Sequence, residues 1–380
     1  MTYKKINSLT SLRFIAAAMI VVHHSCGVLW LTGDRHFALE QAVSFFFVLS
    51  GFVLTYVYPA LDNSVSVKSF YLARFARIWP NHLAAFAILL AIGLPGSFYS
   101  ILQTNHFFIA LLNLLLVQGW IPVREIFFSF NAITWAVSAE VFFYLLFPFL
   151  VKDLERTYFQ KLLLSLLMAL GIIIICNVAH LPADKSALPG EISRAGLVYI
   201  NPLCRLFEFV LGMCVALIWR KYHHTIKLDK RVGSLLEIVA AGLVLLSVHY
   251  SLSSTHLAGF LGQAGSAYIR HSGSSIAFAF LIFIVAFEQG FISQILNFNV
   301  LVVLGEASYS IFLLHQIILR FYTNHSILFS QIPQVLLYIL FLILLLAGSF
   351  FMLIVIERPS YRFLRGFANR LPSRIKGLAS

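Results

Sequence analysis

Residues 335–356 read VLLYILFLILLLAGSFFMLIVI, a run of twenty-two positions without one charged side chain. A helix needs about 20 mainly apolar residues to cross a bilayer. Nine earlier apolar runs have a similar length, and we predict a membrane span in each. The predicted spans are 12–32, 39–60, 81–101, 131–151, 161–180, 199–219, 232–252, 273–289, 298–319 and 335–356. The sequence therefore predicts an all-α, polytopic transmembrane bundle with ten spans.

The composition of the 380-residue chain agrees with a membrane protein. Sixty per cent of its residues are hydrophobic and only 11% are charged, whereas soluble domains carry roughly 25% charged residues. The net charge is +12, but the Lys and Arg residues cluster at the ends of apolar runs, as membrane orientation requires. Membrane lipids are therefore the expected surroundings. The composition excludes a disordered protein and gives no reason to expect a nucleic-acid partner.

The basic segments between the spans set the predicted orientation. Residues 68–77, 152–161 and 220–231 are rich in Lys and Arg, and so is the C-terminal tail. Ten spans put all of them, with both termini, on the cytoplasmic side of a cell (cytoplasmic or inner) membrane. The shorter apolar run 107–120 makes an eleventh span possible, although it would move the 152–161 loop outside. Segments 182–198 and 253–272 are predicted to be external loops.

The cysteines give no sign of a disulfide or a metal site. All four lie inside apolar stretches without a Cys-x-x-Cys pair or metal-ligand spacing, so we expect buried free thiols and no metal. They are Cys26, Cys176, Cys204 and Cys214.

Ionisable residues inside membrane spans are functional candidates because burying them in hydrocarbon is costly. Arg13 and His24 are eleven positions apart, which places them on one helical face about 16 Å apart. Arg13 can also be explained by snorkelling to headgroups, and His24 by a hydrogen bond to a neighbouring helix. Arg74 and Arg77 share a face at i,i+3, a geometry that suits phosphate groups, although anchoring at the membrane edge explains them equally well.

Further polar groups occur in the later spans. Glu140 lies in an aromatic helix, where structural pairing and catalysis both remain open. Arg205 and Glu208 are spaced for an i,i+3 ion pair. Ser308 and His315, seven positions apart, share a face. Glu357 begins Glu-Arg-Pro, which is interpreted as the end of the last span.

One chemistry uses most of these groups together. A histidine can be the general base for a hydroxyl that attacks a thioester, while arginines hold the phosphates of a nucleotide-bearing acyl donor. The alternative is a proton-coupled transporter of a small solute, in which buried Glu and His relay protons. A third class, a structural membrane scaffold, would tolerate replacement of the buried charges.

Seven motifs occur in one order along the chain: Arg13-x10-His24, FFFVLSGF (45–52), Arg74-x-x-Arg77, WAVSAEVFFYLLFP (135–148), NPLCRLFEFVLGM (201–213), LGEASYSIFLLHQ (304–316) and ERP (357–359). In this order they resemble the acyltransferase-3 family of integral membrane O-acyltransferases. The resemblance covers residues 7–366 as one membrane domain, followed by a basic cytoplasmic tail at 367–380. It indicates a stand-alone form without an appended SGNH-type domain.

The resemblance implies roles for individual residues. His24 and Glu140 would be catalytic, and Arg13, Arg74 and Arg77 would bind the donor. A further group would lie on the acceptor side or be structural: Ser138, Ser308, His315, Arg205 and Glu208. The sequence departs from the family pattern at two positions. Ser44 stands where many members carry Asp, and Ala136 replaces the first serine of the Trp135 motif, which leaves Ser138 as the only hydroxyl there.

The resemblance also implies an activity. The protein would move an acyl group, expected to be acetyl, from acyl-CoA to a hydroxyl of a cell-envelope glycan or lipid-linked sugar. Acyl-CoA would be a co-substrate, and no tightly bound cofactor is expected. Direct transfer with His24 as base, or transient acylation of His24, both remain open. Glu140 would orient or charge-balance a histidine.

Overall fold

The computed structural model describes residues 5–29, 36–61, 64–93, 104–183, 188–226 and 228–370. Its α-helices are α1 (Asn7–Ser25), α2 (Ala42–Val57), α3 (Ser64–Gly93), α4 (Thr104–Leu114), α5 (Arg124–Phe127), α6 (Thr134–Val151), α7 (Leu154–Val178), α8 (Pro202–Tyr222), α9 (Lys230–Leu252), α10 (Ala258–Ser272), α11 (Ser275–Val285), α12 (Phe291–Leu296), α13 (Asn299–Asn324), α14 (Gln334–Met352) and α15 (Arg358–Arg370). These residues contain no β-strand. Predictions for residues 30–32, 94–101 and 371–380 fall outside the described residues.

Within these ranges, nine helical segments are long and apolar enough to cross a membrane, and they match nine of the ten predicted spans. The tenth, α1, has 19 residues, but Arg13, His23 and His24 lower its hydropathy. It lies in the interior, where it packs along α13 and α2. The all-α, multi-pass architecture predicted from the sequence is therefore confirmed.

Among the described residues, the apolar run 107–120 forms a helix too short for an eleventh span. Its helix, α4, has 11 residues and is therefore about 16 Å long, roughly half the thickness of the hydrocarbon core. A turn and the 3₁₀ helix Gln118–Trp120 follow it.

Two segments predicted to lie outside the spans are helical. Arg74 and Arg77 lie within α3, which begins at Ser64 and continues through Pro80; Lys and Arg are good helix formers, so a basic segment can extend a span. The predicted external loop 253–272 is also wrong over most of its length. It contains α10, which bends at Gly262 and precedes α11 in one membrane-length segment, Gly259–Val285.

The Glu-Arg-Pro motif does not end the helical structure, contrary to the sequence prediction. The chain continues from α14 through a π-helical turn, Leu353–Glu357, directly into α15. Pro359 follows this π-helical turn, and its missing N–H does not end the helix. The motif therefore places Glu357 inside the protein.

Glycines allow the central helices to approach closely. A Cβ atom at Gly51 of α2 would lie 2.0 Å from the carbonyl oxygen of Phe209, and one at Gly212 of α8 would lie 1.9 Å from that of Val48. Gly305 of α13 meets the backbone of Thr10 in α1 in the same way. Small residues permit such contacts between membrane helices, so these glycines set the spacing of the helices that carry the site.

The peripheral helices present apolar side chains outwards. On α7, Leu164, Ile174 and Ile175 are each about 60% exposed, which suits contact with lipid rather than water. The four cysteines form no disulfide within the described residues; Cys26 is half-buried and the other three are buried.

Candidate active site

Two cavities lie one behind the other along α1. Arg13 lines the smaller, of about 110 Å³, which we call the arginine cavity. His24 lines the larger, of about 960 Å³, which we call the histidine cavity. Arg13 and His24 are eleven residues apart, which is about 16 Å along the helix axis. The two cavities that they line therefore lie at different depths.

The arginine cavity gathers the three arginines that the sequence singled out. Arg13 from α1 and Arg74 and Arg77 from α3 line it, together with Glu140 from α6 and Ser308 from α13. The three guanidinium groups come from two helices and are only partly buried. They concentrate positive charge in one chamber, which favours a ligand with phosphate groups.

The two arginines of α3 are held differently. Arg77 forms a salt bridge with Glu357, whose other carboxylate oxygen accepts a 2.7 Å hydrogen bond from Asn81. The Arg74 guanidinium lies over the Tyr144 ring at 5.8 Å, and its buried Nε has no hydrogen-bond partner within the protein. Arg77 is therefore fixed by a carboxylate, whereas Arg74 keeps hydrogen-bonding capacity for a ligand.

Glu140 belongs to the arginine cavity and not to the histidine cavity. Its Oε1 accepts hydrogen bonds from Ser50, at 2.7 Å, and from Tyr144. It also interacts electrostatically with Arg13. The expectation that Glu140 would orient or charge-balance a histidine is therefore not supported by its position, since its described partners are hydroxyls and an arginine.

The contact to His24 comes from His315 on α13. Nε2 of His315 lies 3.1 Å from Nδ1 of His24, and the ring centroids are 5.1 Å apart. His315 is fully buried. His24 Nδ1 also lies 3.1 Å from the Ile20 carbonyl oxygen, and His315 Nδ1 lies 3.3 Å from that of Ile311.

These contacts assign the tautomers of the pair. His315 Nδ1 faces a carbonyl and must donate, so in the neutral ring its Nε2 accepts. His24 Nδ1 then faces two acceptors and carries the proton. The lone pair of neutral His24 is therefore on Nε2, the nitrogen that a general base would use.

A single layer of side chains separates the two cavities. Val43, Ala136 and Phe312 line both. The centroid of the Phe312 ring lies 5.9 Å from that of the His315 ring and 6.3 Å from that of Phe46, which lines the arginine cavity. Ala136, one of the departures from the family pattern, thus removes a hydroxyl from this boundary.

The remaining predicted residues divide between the cavities and the packing. Ser308 lines the arginine cavity, whereas Ser138 is buried and lies against Gly119 of the 3₁₀ turn. Arg205 and Glu208 form the predicted ion pair, at 3.0 Å and with both side chains fully buried. Ser44, the other departure, accepts a 2.9 Å hydrogen bond from Arg205, so Glu208 supplies the carboxylate of this buried cluster.

Several residues of the histidine cavity were not predicted. Glu40 pairs with His23 at 3.2 Å and with Arg270 at 3.4 Å, and the His271 ring stacks on Tyr199. Two further arginines also line this cavity, Arg124 and Arg320. These arginines could have been recognised as candidates from the sequence, because they are charged residues in or beside apolar helices. The described residues contain no group of His, Cys, Asp and Glu side chains arranged to hold a metal ion.

Comparisons with known proteins support the family resemblance that the order of the motifs indicates. The family model described as an acyltransferase domain matches residues 6–355. The chain is 32% identical to acyltransferase MdmB of Streptomyces mycarofaciens over 57% of this chain and 58% of MdmB. It is 25% identical to O-acetyltransferase OatA of Staphylococcus aureus over 97% of this chain and 57% of OatA.

A third relative is peptidoglycan O-acetyltransferase OatA of Listeria monocytogenes, with 23% identity over 82% of this chain and 49% of that protein. The chain therefore spans about half to three-fifths of the length of these relatives. No solved structure gives a significant match. Because the family model covers nearly the whole chain, this protein belongs to the acyltransferase-3 family.

Proposed function

We propose that this membrane protein transfers an acyl group, acetyl in the first instance, from acyl-CoA to a hydroxyl of a cell-envelope glycan or lipid-linked sugar. The observation that best supports this is the arrangement of the cavities. Among the described residues, the arginine cavity and the histidine cavity share three lining residues, and His24 lies beyond that boundary. Such an arrangement lets a donor and an acceptor approach from opposite sides of the bundle.

The donor enters the arginine cavity from the cytosol. Arg13, Arg74 and Arg77 bind its phosphates, and the thioester extends past Phe312 towards His24. The arginine cavity, of about 110 Å³, is too small for a whole nucleotide, so the adenosine part of the donor stays outside it. Ser50 and Tyr144 keep Glu140 in place beside the arginines.

The acceptor occupies the histidine cavity. His24 Nε2 takes the proton of its hydroxyl as the oxygen attacks the thioester carbonyl, which forms the new C–O bond. The C–S bond then breaks, and protonated His24 returns the proton to the departing CoA sulfur. His315 holds the His24 ring and its tautomer through the 3.1 Å contact.

The test is transfer of radiolabelled acetyl from acetyl-CoA by purified protein in lipid nanodiscs, with envelope glycans as acceptors. General-base catalysis is worth about 10²–10⁴-fold, so His24→Ala should lose transfer by that factor while keeping its thermal stability. His106→Ala, at an exposed position on α4, is the control and should retain full activity. Full activity of His24→Ala would contradict the assignment.

The product distinguishes an acyltransferase from a proton-coupled transporter. An acyltransferase leaves an alkali-labile ester on the acceptor, whereas a proton-coupled transporter moves solute without chemical change. NMR spectra of envelope polysaccharides from cells with and without the gene, before and after mild base, would show which occurs.

A further inference from the structure

The histidine cavity has an excess of positive charge. Arg124, Arg270 and Arg320 line it, and Glu40 is the one carboxylate among its lining residues in the described part of the chain. These arginines come from α5, α10 and α13, so the fold brings them together from positions up to 196 residues apart. Among the described lining residues, the arginines thus outnumber the carboxylates by three to one.

Contacts with the protein hold the arginine side chains in place. Arg320 donates a 2.7 Å hydrogen bond to the Phe130 carbonyl oxygen. Arg270 contacts Glu40 at 3.4 Å. A guanidinium has five donor N–H groups, so one contact to the protein leaves others for a ligand. Such pre-positioned arginines suit the paired oxygens of a carboxylate or phosphate group.

Orientation in the membrane does not explain these arginines. α13 passes from Ser308 in the arginine cavity to Arg320 in the histidine cavity, so Arg320 lies at the opposite end of the bundle from Arg74 and Arg77. Charges that only set orientation concentrate on one side of the membrane. A second cluster at the other end, facing a chamber rather than a lipid surface, therefore indicates ligand binding.

His24 and Arg320 line the same chamber. Arg320 lies five residues beyond His315 on α13, about 7.5 Å along the axis, and His315 contacts His24. A saccharide in the histidine cavity can therefore meet both Arg320 and His24.

We propose that the acceptor is an acidic saccharide, whose carboxylate or phosphate group is bound by Arg270 and Arg320 with Arg124 at the exposed rim. This inference rests on the proposed function, because it assigns the histidine cavity to the acceptor. It adds the chemical class of that acceptor and the residues that select it.

The first experiment identifies the class of acceptor. Envelope glycans from cells with and without the gene are separated by anion exchange into neutral, carboxylate-bearing and phosphate-bearing fractions, and base-labile acyl groups are measured by NMR. We expect the gene-dependent esters in an acidic fraction, and which acidic fraction carries them identifies the anion. Gene-dependent esters confined to the neutral fraction would overturn the inference. Their absence from every fraction would instead overturn the proposed function itself.

The second experiment tests the arginines with purified protein, radiolabelled acetyl-CoA and the acidic fraction as acceptor. Arg270→Gln with Arg320→Gln should raise the acceptor KM about tenfold or more, as expected for lost charged hydrogen bonds, and leave the donor KM unchanged. Arg320→Lys should recover part of the loss, since it keeps the charge without the bidentate geometry. Arg156→Gln, at an exposed position on α7, is the control. An unchanged acceptor KM in the double variant would refute the site.

Discussion

Nε2 of His315 lies 3.1 Å from Nδ1 of His24, although the two residues are 291 positions apart in the chain. His315 is fully buried, whereas His24 lines the histidine cavity. His24 therefore faces the cavity, and His315 contacts it from the protein interior.

This relationship predicts that His315 is a positioning residue. His315→Leu removes one of the two acceptors for the His24 Nδ1 proton and leaves the Ile20 carbonyl, so kcat should fall about 10–100-fold, less than for loss of the base itself, with the donor KM unchanged. His315→Gln offers a carbonyl oxygen instead and should recover part of the rate. Both variants are compared by steady-state kinetics. Equal kcat values for the Leu and Gln variants would indicate that the hydrogen bond has no role.

The Arg77–Glu357 salt bridge predicts a separable effect on stability. Arg77→Met leaves Glu357, which is 3% exposed, without its salt bridge, although the hydrogen bond from Asn81 remains, and should cost about 2 kcal/mol, seen as a lower Tm. Adding Glu357→Leu should restore the Tm, because the buried charge is gone. The KM for the donor should be higher than in the unmodified protein in both variants, because both lack the Arg77 guanidinium. Recovery of donor binding in the double variant would show that Arg77 has only a structural role.

Phe312 separates the two cavities, so its size should control leakage between them. Phe312→Ala is expected to increase hydrolysis of acetyl-CoA by water relative to transfer to the acceptor. The reason is that the ring no longer shields the thioester from water. The ratio of free acetate to esterified product measures this. Phe351→Ala, at a 61% exposed position on α14, should leave the ratio unchanged, and an unchanged ratio in Phe312→Ala would argue against the boundary.

Gly212 predicts the cost of separating the central helices. Gly212→Ala would put a Cβ 1.9 Å from the Val48 carbonyl oxygen, and the required shift should cost about 1–3 kcal/mol. Gly242→Ala, where nothing lies within 4 Å of an added Cβ, is the matched control and should be neutral or slightly stabilising, because Ala favours helix. Thermal unfolding in detergent compares them, and equal Tm values would contradict the packing.

A carboxylate at position 44 should compensate for loss of the Glu208 carboxylate. Glu208→Gln leaves the fully buried Arg205 without its carboxylate and should destabilise the protein by about 3–5 kcal/mol. Ser44→Asp, next to Arg205, should then recover much of the loss by supplying the carboxylate that many family members carry there. The two variants are compared by thermal unfolding. No recovery in the double variant would show that geometry, rather than charge, decides this cluster.

Much of the fold could be predicted from local sequence. The spans follow from the length of apolar runs, because a helix in lipid satisfies its own backbone hydrogen bonds. The Arg205–Glu208 pair follows from i,i+3 spacing, since both residues lie on one helix. The closeness of α2 to its neighbour follows from Gly51, which has no side chain to hold the helices apart.

The sequence predictions are wrong where they end a span at a polar or small residue. Arg74 and Arg77 lie inside α3, residues 258–272 form α10, and the chain continues past Glu357 into α15. Helix propensity and packing against the bundle outweighed the local polarity at all three places.

The sequence by itself determined the membrane class, the family and the placing of Arg13 and His24 on one face of α1, because these depend on hydropathy, motif order and helical period. Only the tertiary structure decided that His24 meets His315, that Glu140 lies with the arginines, and that Glu357 reaches Arg77. These partners are far apart in the chain and lie on different helices. Which side chains meet across two helices depends on their crossing and rotation within the packed bundle, and no local spacing encodes that.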